Sequence, residues 1–356
     1  MSHTWTNYAI NLARMAIAAT PMRPLVVSYC VTTYCNLNCV YCEDFGARRN
    51  VNQPAPLPLD DARRLLAVIR QGTSSLIVTG GEPLLYPDLP ALLAHARRDL
   101  RFHHITLLTN AALLRERMDV LPLLDRLMVS VDATTPALWD QTIRAEPGTA
   151  QTILDNVIAA AQRQKADGFR MVLNCVVTPE TLAQVPAVLE LCIQHGMLFS
   201  FSPQSANNWP RYELLVSQEY RDFVMAMIAH KRHDAPILGS MAYLRMLWGF
   251  DPYACYPMLA PRVMPDGGLA YPCRPIEREG DAHGGRDVNL LAIGDWNKAV
   301  QRATDVYGAP PSTCGSCFQQ CYIEPSLMQA RPWALLSELL IYKASRQGGI
   351  ATYAPG

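Results

Sequence analysis

Apolar and polar positions in this chain fall into two recurring patterns. Short runs dense in branched and large apolar residues, at positions 25–29, 75–78, 104–108, 126–131, 170–177 and 198–201, predict buried strands. Between them, apolar residues return every three or four positions, which predicts amphipathic helices. Asp60 stands where it would cap a helix running through Leu65, Leu66 and Ile69 to Gly72. Further helices are expected near 89–97, around 113–124, over 153–165 behind a Thr149 cap and before Gly168, and over 182–195. Six strands alternating with helices imply a parallel sheet, and right-handed crossovers would curl it into a partial (β/α)6 TIM-like barrel.

From residue 204 the rhythm stops. Helices near 217–231 and 241–248 bridge to a region where Pro265-Asp-Gly-Gly268 is a strong hairpin turn between strands at 262–264 and 269–271. The chain thus divides into an N-terminal helical segment (1–24), a core barrel (25–203), a helical bridge (204–250), a small α+β domain (251–330), and a C-terminal helix over 333–342 within a tail (331–356). The N-terminal segment reads as an amphipathic helix, with Ala9, Leu12, Ala13 and Ile17 among its apolar positions. Such a helix suits covering one end of the barrel or resting on a membrane surface.

Charge adds little to this picture. Thirty-one basic and thirty-one acidic residues cancel, so no nucleic-acid partner is expected and no strong pull toward an anionic membrane follows. No apolar run reaches membrane-spanning length, and the first twenty residues lack the basic and hydrophobic regions of a signal peptide, which points to the cytoplasm. Eleven cysteines, an odd number in tight groups, suit metal ligation in a reducing compartment better than a disulfide framework. Cys30, Cys175 and Cys192 lie in apolar surroundings and read as core thiols.

The chemistry starts on the polar loop behind the first strand. Cys35, Cys39 and Cys42 stand three and then two residues apart, a spacing that can hold three corners of a cubane iron–sulfur cluster and leave the fourth iron open. Cys39-x-x-Cys42 alone would also suit a thiol redox pair or half of a zinc site; the third cysteine, and Tyr41 just before the last, weigh against both. After strand two comes Thr79-Gly80-Gly81-Glu82-Pro83, where two glycines let main chain pass close to a ligand, though a bare Gly-Gly is also an ordinary turn. Thr109 and Asn110 follow strand three, Ser130-Val-Asp132 ends strand four, Arg144 lies in the next loop, Asn174 and Val176 are on strand five, and Ser202 and Gln204 close strand six. All sit toward C-terminal strand ends, the functional end of a parallel barrel.

The CxxxCxxC loop with its aromatic residue, followed by Gly-Gly-Glu-Pro about forty residues on, resembles the signature of the radical S-adenosylmethionine (SAM) superfamily. That resemblance implies a [4Fe–4S] cluster on Cys35, Cys39 and Cys42, with SAM chelating the open iron. One electron would cleave SAM to methionine and a 5′-deoxyadenosyl radical that abstracts hydrogen from a substrate. It also implies SAM contacts at Tyr41, at Gly80, Gly81, Glu82 and Pro83 for the methionine amino group, at Ser130 and Asp132, and at Asn174 and Val176 for the adenosine. Asn174 is equally open to a reading as a buried amide satisfied by backbone. Arg144 is either a bidentate clamp for the SAM carboxylate or a solvated charge. A reductant such as flavodoxin or ferredoxin is the implied electron donor, and no side chain stands out as a general base.

A second group, Cys255, Cys273, Cys314, Cys317 and Cys321, surrounds the hairpin and follows it. Alone it would read as a zinc ribbon. Beside the first motif it resembles the SPASM or twitch extension of radical SAM enzymes, which carries auxiliary clusters, although five cysteines replace the seven of the full SPASM pattern and the run from Cys317 to Cys321 is short. One auxiliary [4Fe–4S] cluster is expected, on Cys255, Cys273 and Cys317, with Cys314 and Cys321 competing for the remaining corner. The expected fold is therefore α/β: a partial (β/α)6 TIM-like barrel with a small C-terminal α+β iron–sulfur domain.

The expected activity is that of a radical SAM enzyme, an oxidoreductase or a modifier of carbon skeletons. About two dozen residues precede strand one, too few for a leader-peptide-binding domain, which favours a small molecule, sugar or lipid-like substrate over a peptide. The alternatives are a peptide-modifying maturase, a thiol redox protein, and a non-catalytic zinc or iron–sulfur protein.

Overall fold

The computed structural model describes residues 3–17, 19–20, 22–46, 55–206, 209–273, 288–310, 315 and 317–332; Cys314 and the helix expected over 333–342 lie outside them. Strands β1 (Val27–Thr32), β2 (Ser75–Gly80), β3 (His104–Thr109), β4 (Arg126–Ser130), β5 (Arg170–Val177) and β6 (Leu198–Pro203) are parallel and pair in sequence order. Helices α1 (His3–Ala16), α2 (Leu59–Gly72), α3 (Leu89–Ala94), α4 (Pro136–Ile143), α5 (Thr149–Ala161), α6 (Gln164–Asp167) and α7 (Val185–Gln194) precede or connect them. The result is the partial TIM-like barrel the alternation predicts.

Beyond β6 come a two-residue ribbon, β7 (Ser205–Ala206) with β8 (Trp209–Pro210), then α8 (Tyr212–Val216), α9 (Gln218–Arg232) and α10 (Met241–Gly249). The hairpin β9 (Arg262–Val263) and β10 (Leu269–Ala270) follows, then α11 (Leu290–Ile293), α12 (Trp296–Tyr307) and α13 (Gln320–Ala330). Strand β9 lies parallel to β1, pairing Ser28 with Arg262 and Tyr29 with Val263, so the hairpin prolongs the barrel sheet to eight strands. It therefore covers what would be an open edge of β1.

Strand alternation decides what faces where. Val27, Tyr29, Val31, Leu76, Val78, Ile105, Leu107, Leu127, Val129, Leu173, Cys175, Phe199 and Phe201 join the helices in one continuous apolar core. Successive strand residues point to opposite faces, so the alternate set lines the barrel interior. Along the register that set runs Arg262, Ser28, Ile77, Thr106 and Arg126 at one level and Ser130, Asn174 and Ser200 nearer the mouth. The lumen is polar where the outer layer is apolar.

Several local readings need correction. Strand β1 runs on to Thr32, taking in Cys30, because its bonds to β2 continue past a register shift between Cys30 and Thr32. Asp60 does not cap α2; Pro58 precedes the helix and Asp60 pairs with Arg63 in the first turn. Thr149 does not cap α5 either. Asp140, buried on α4, accepts from Gly148 N and Ala150 N, both at 2.7 Å, and so satisfies that helix start from across a turn. The stretch around 113–124 is a kinked 3₁₀ segment, Leu114–Leu123, with Pro122 inside it.

Candidate active site at the strand ends

The loop bearing Cys35, Cys39 and Cys42 leaves the C-terminal end of β1 and is held from three sides. From β2, Gly81 N donates to Thr32 O at 2.9 Å and Glu82 N to Tyr34 O at 2.8 Å. A Cβ on Gly80 would lie 2.2 Å from Thr32 O, and one on Gly81 2.2 Å from Tyr34 O; Gly80 also has φ +145°. Both glycines are thus needed for close approach to the cysteine loop's own backbone, where the sequence pattern points to a ligand.

Buried carboxylates complete the clamp. Glu82 accepts from Thr109 Oγ1 (2.7 Å), Asn110 N (2.7 Å) and Leu84 N (2.9 Å), tying the end of β2 to that of β3. Burial nevertheless pushes its carboxyl up to about 7. Asn110 in turn donates to Asn36 Oδ1 at 2.8 Å and reaches Cys35 Sγ at 3.9 Å. Asp132, after β4, accepts from Tyr41 OH at 2.5 Å and Val176 N at 2.8 Å, and burial raises it to about 6. The side chains of Tyr41, Glu82 and Asp132 are therefore engaged with protein.

On the third side, Asn38 N and Val40 N donate to Ile143 O (3.1 Å) and Thr142 O (2.9 Å) at the end of α4. Arg144 follows at once, exposed and left-handed (φ +49°), at the rim of the cysteine loop. Pro83 is buried beneath that loop's neighbour, whereas Ser130, Asn174 and Val176 are partly exposed on the inward face. Thr109 also starts a turn, accepting from Ala111 N. Gln204 is buried, with its side-chain oxygen taking a bond from Arg211 at 3.2 Å, while Ser202 Oγ lies 3.3 Å from Tyr243 OH.

All three loop thiols are partly exposed, and none of the ten cysteines among the described residues is in a disulfide. Burial pushes Cys35 up to about 11 and Cys39 higher still. A thiol redox pair needs the opposite shift. Thiols raised as Cys35 and Cys39 are become thiolate when a metal cation supplies the counter-charge, and with Cys42 beside them the three thiols on one clamped loop fit a cubane cluster with an open corner.

The second group assembles from separate segments. Cys255 follows α10, Cys273 follows β10, Cys317 precedes α13 and Cys321 lies in its first turn; Cys317 feels the charges of the other three. Cys255, Cys273 and Cys317 are buried. Between the two groups stands Arg262 on β9, which donates to Asp44 Oδ2 at 3.1 Å. Burial opposes its charge, but Cys30, Tyr322, Asp44 and Cys321 around it outweigh that and raise its pKa. Motif reading missed Arg262 and Asp44; the only signals were an arginine on the hairpin strand and an acid two residues past Cys42.

The family model described as the radical SAM superfamily matches residues 29–192, from β1 into α7. GTP 3′,8-cyclase of Xanthomonas campestris pv. campestris is 31% identical over 238 residues, covering 62% of this chain and 67% of the relative. The chain belongs to the radical SAM superfamily. In fold, SuiB from Streptococcus suis, solved bound to S-adenosylmethionine, matches with a TM-score of 0.59 at 19% identity, over 81% of this chain and 69% of SuiB. The structure of anSMEcpe with bound AdoMet matches with a TM-score of 0.55 at 15% identity, over 88% of this chain and 98% of that one. Membership of the radical SAM superfamily implies a [4Fe–4S] cluster and SAM, and the clamped loop is where this chain has the donors for them. Among the described residues no helix of this radical SAM protein is long and apolar enough to cross a membrane.

Proposed function

We propose that this radical SAM enzyme removes hydrogen from an unactivated carbon of a small polar organic molecule held in the barrel lumen, as an oxidoreductase or a modifier of carbon skeletons. The observation that carries this reading is the three-thiol loop clamped at the mouth of a lumen whose inward residues include Ser130, Asn174, Ser200 and Arg262. Bound there, cluster and SAM supply one-electron cleavage of the sulfonium and a 5′-deoxyadenosyl radical. The chain's own work is to orient and to exclude. Gly81 N and Glu82 N are already engaged with the cysteine loop, and the Glu82 and Pro83 carbonyls accept from Leu85 N and Tyr86 N, so within Gly80 to Pro83 it is the Gly81 carbonyl that would suit the ammonium of SAM. Ser130, Asn174 and Val176 would meet the nucleoside part, and Arg144, exposed at the rim, would pair with the carboxylate.

Relatives named for a reaction on GTP support a small substrate, and SuiB and anSMEcpe, solved with peptides, share only the fold. For the second group we propose one auxiliary [4Fe–4S] cluster on Cys255, Cys273, Cys317 and Cys321. Four protein ligands would close it, which suits electron transfer or structure better than substrate binding. The test is anaerobic: reconstituted protein, dithionite and SAM should yield a brown protein that releases 5′-deoxyadenosine. A colourless, zinc-loaded protein, or SAM recovered intact, overturns the proposal.

A further inference from the structure

Helix α1 is built inside out. Four of its polar side chains face the protein: Asn7 Nδ2 donates to Pro24 O (2.7 Å) and Gly72 O (2.8 Å), Asn11 exchanges bonds with Arg23 N and O, Thr4 Oγ1 meets Ser75 Oγ at 2.9 Å, and Tyr8 OH donates to Met328 O. Both asparagines are buried. Several apolar residues point away, Trp5 60%, Ile10 38% and, just past the helix, Ile17 77% exposed, with Ala9, Ala13 and the polar Thr6 exposed between them, while Leu12 and Met15 are half-buried. These positions recur at helical spacing, so they form one continuous stripe.

A covering helix would normally turn that stripe inward. Here the asparagines satisfy backbone carbonyls under the barrel, and nothing among the described residues requires the outer face to be apolar. Two occupants compete. A second copy needs roughly 20–30 residues a side for a stable interface, and a 14-residue helix presents far fewer. A lipid surface needs only an apolar stripe with favourable charge. The first acidic residue of the chain is Glu43, whereas Arg14 and Arg23 precede it. Among the described residues both arginines bond neutral oxygens, Thr20 O and Asn297 Oδ1, and pair with no carboxylate. We infer that α1 docks this enzyme on an anionic lipid surface through Trp5, Ile10 and Ile17.

The docking face lies at the N-terminal strand ends, opposite the cysteine loop, since Thr4 touches the first residue of β2. Lipid contact there tethers the enzyme and leaves the mouth open to solvent, so it is no argument for a lipid substrate. The test is co-sedimentation of the full chain, cluster-loaded, with vesicles of phosphatidylcholine alone or mixed with phosphatidylglycerol. The wild type should pellet with the anionic vesicles, less so at high salt, and the double variant Trp5→Asp/Ile17→Asp should lose about tenfold in partitioning. Both sites are exposed, so uncoupled SAM cleavage should be unchanged in the variant and reports its folding. No vesicle binding, or equal binding by the variant, overturns the inference. A dimer that the same variant dissolves, with no vesicle binding, assigns the stripe to a second copy and overturns it too.

Discussion

The two cysteine groups differ in how the fold gathers them. The first is one continuous loop whose thiols remain partly exposed and whose backbone is clamped by neighbours from β2, β3 and α4. The second draws Cys255, Cys273, Cys317 and Cys321 from separate segments and buries three of them. Local order with an open side is what a reactive, ligand-accepting centre needs; long-range order with a closed surface is what a relay or a structural staple needs. Arg262 ties the two together, since it pairs with Asp44 beyond the first group and lies beside Cys321 of the second.

The sharpest way to break this contrast is to remove one thiol from each side. Cys39→Ala should abolish 5′-deoxyadenosine formation, by at least about a hundredfold, because three protein ligands are the minimum the loop offers. Cys273→Ala should keep that uncoupled cleavage within about fivefold while losing substrate turnover and part of the bound iron. Product analysis by chromatography, with iron and sulfide assays, reads both. If Cys273→Ala abolished cleavage as Cys39→Ala does, the two groups would be one functional unit and the contrast would fail.

Sequence patterns carry the first group almost whole, because its residues are local in sequence and each motif ends a strand. They carry the second only in part. Cysteine spacing says which thiols exist, but the pairing of β9 with β1, which carries the hairpin and Arg262 to the barrel, has no local signal. The cap of α5 was illegible for the same reason: the group that serves it is Asp140, eight residues before Gly148 and on another helix. Helix α12 is a different case, with Asp295 bonding Lys298 N at its start and Gly308 at its end. Those are ordinary local start and stop signals, legible in the sequence. The outward apolar face of α1 was legible only as one of two alternatives, because hydrophobic periodicity reports which residues share a face and is silent on which face is buried.

A smaller effect separates the clamp from the ligands. Gly81→Ala introduces a Cβ 2.2 Å from Tyr34 O, which is main chain and cannot swing aside. The expected cost is about 1–3 kcal/mol, together with a displaced cysteine loop and reduced iron retention. Gly148→Ala is the control: φ is +93° there and nothing lies within 4 Å, so only backbone strain of about 1 kcal/mol follows. Denaturant unfolding with iron assays distinguishes them. Equal iron retention in the two variants would show that the close contact of β2 with the loop does not shape the first group.

The smallest effect lies in the pH dependence of the clamp. Three donors favour ionised Glu82, but burial prevails and raises it from 4.5 to about 7. The folded state then binds a proton that the unfolded chain has lost between those values, so this contribution to stability is full below 4.5 and disappears as pH rises through 7. Its size is on the order of 3 kcal/mol. Asp132, raised from 3.8 to about 6, acts in the same direction over a lower window. Glu82→Gln cannot titrate, so its stability should fall less steeply than the wild type's from pH 5 to 7. At pH 5 it should be the less stable by about 1–3 kcal/mol, because an amide NH₂ replaces one acceptor facing Asn110 N or Leu84 N, and that gap should close by about 2 kcal/mol on the way to pH 7. Parallel wild-type and variant curves in urea unfolding would mean that the three donors, not burial, set the charge of Glu82. The clamp would then be an anion held on purpose beside the cysteine loop, and the first group would be more strongly polarised than its burial implies.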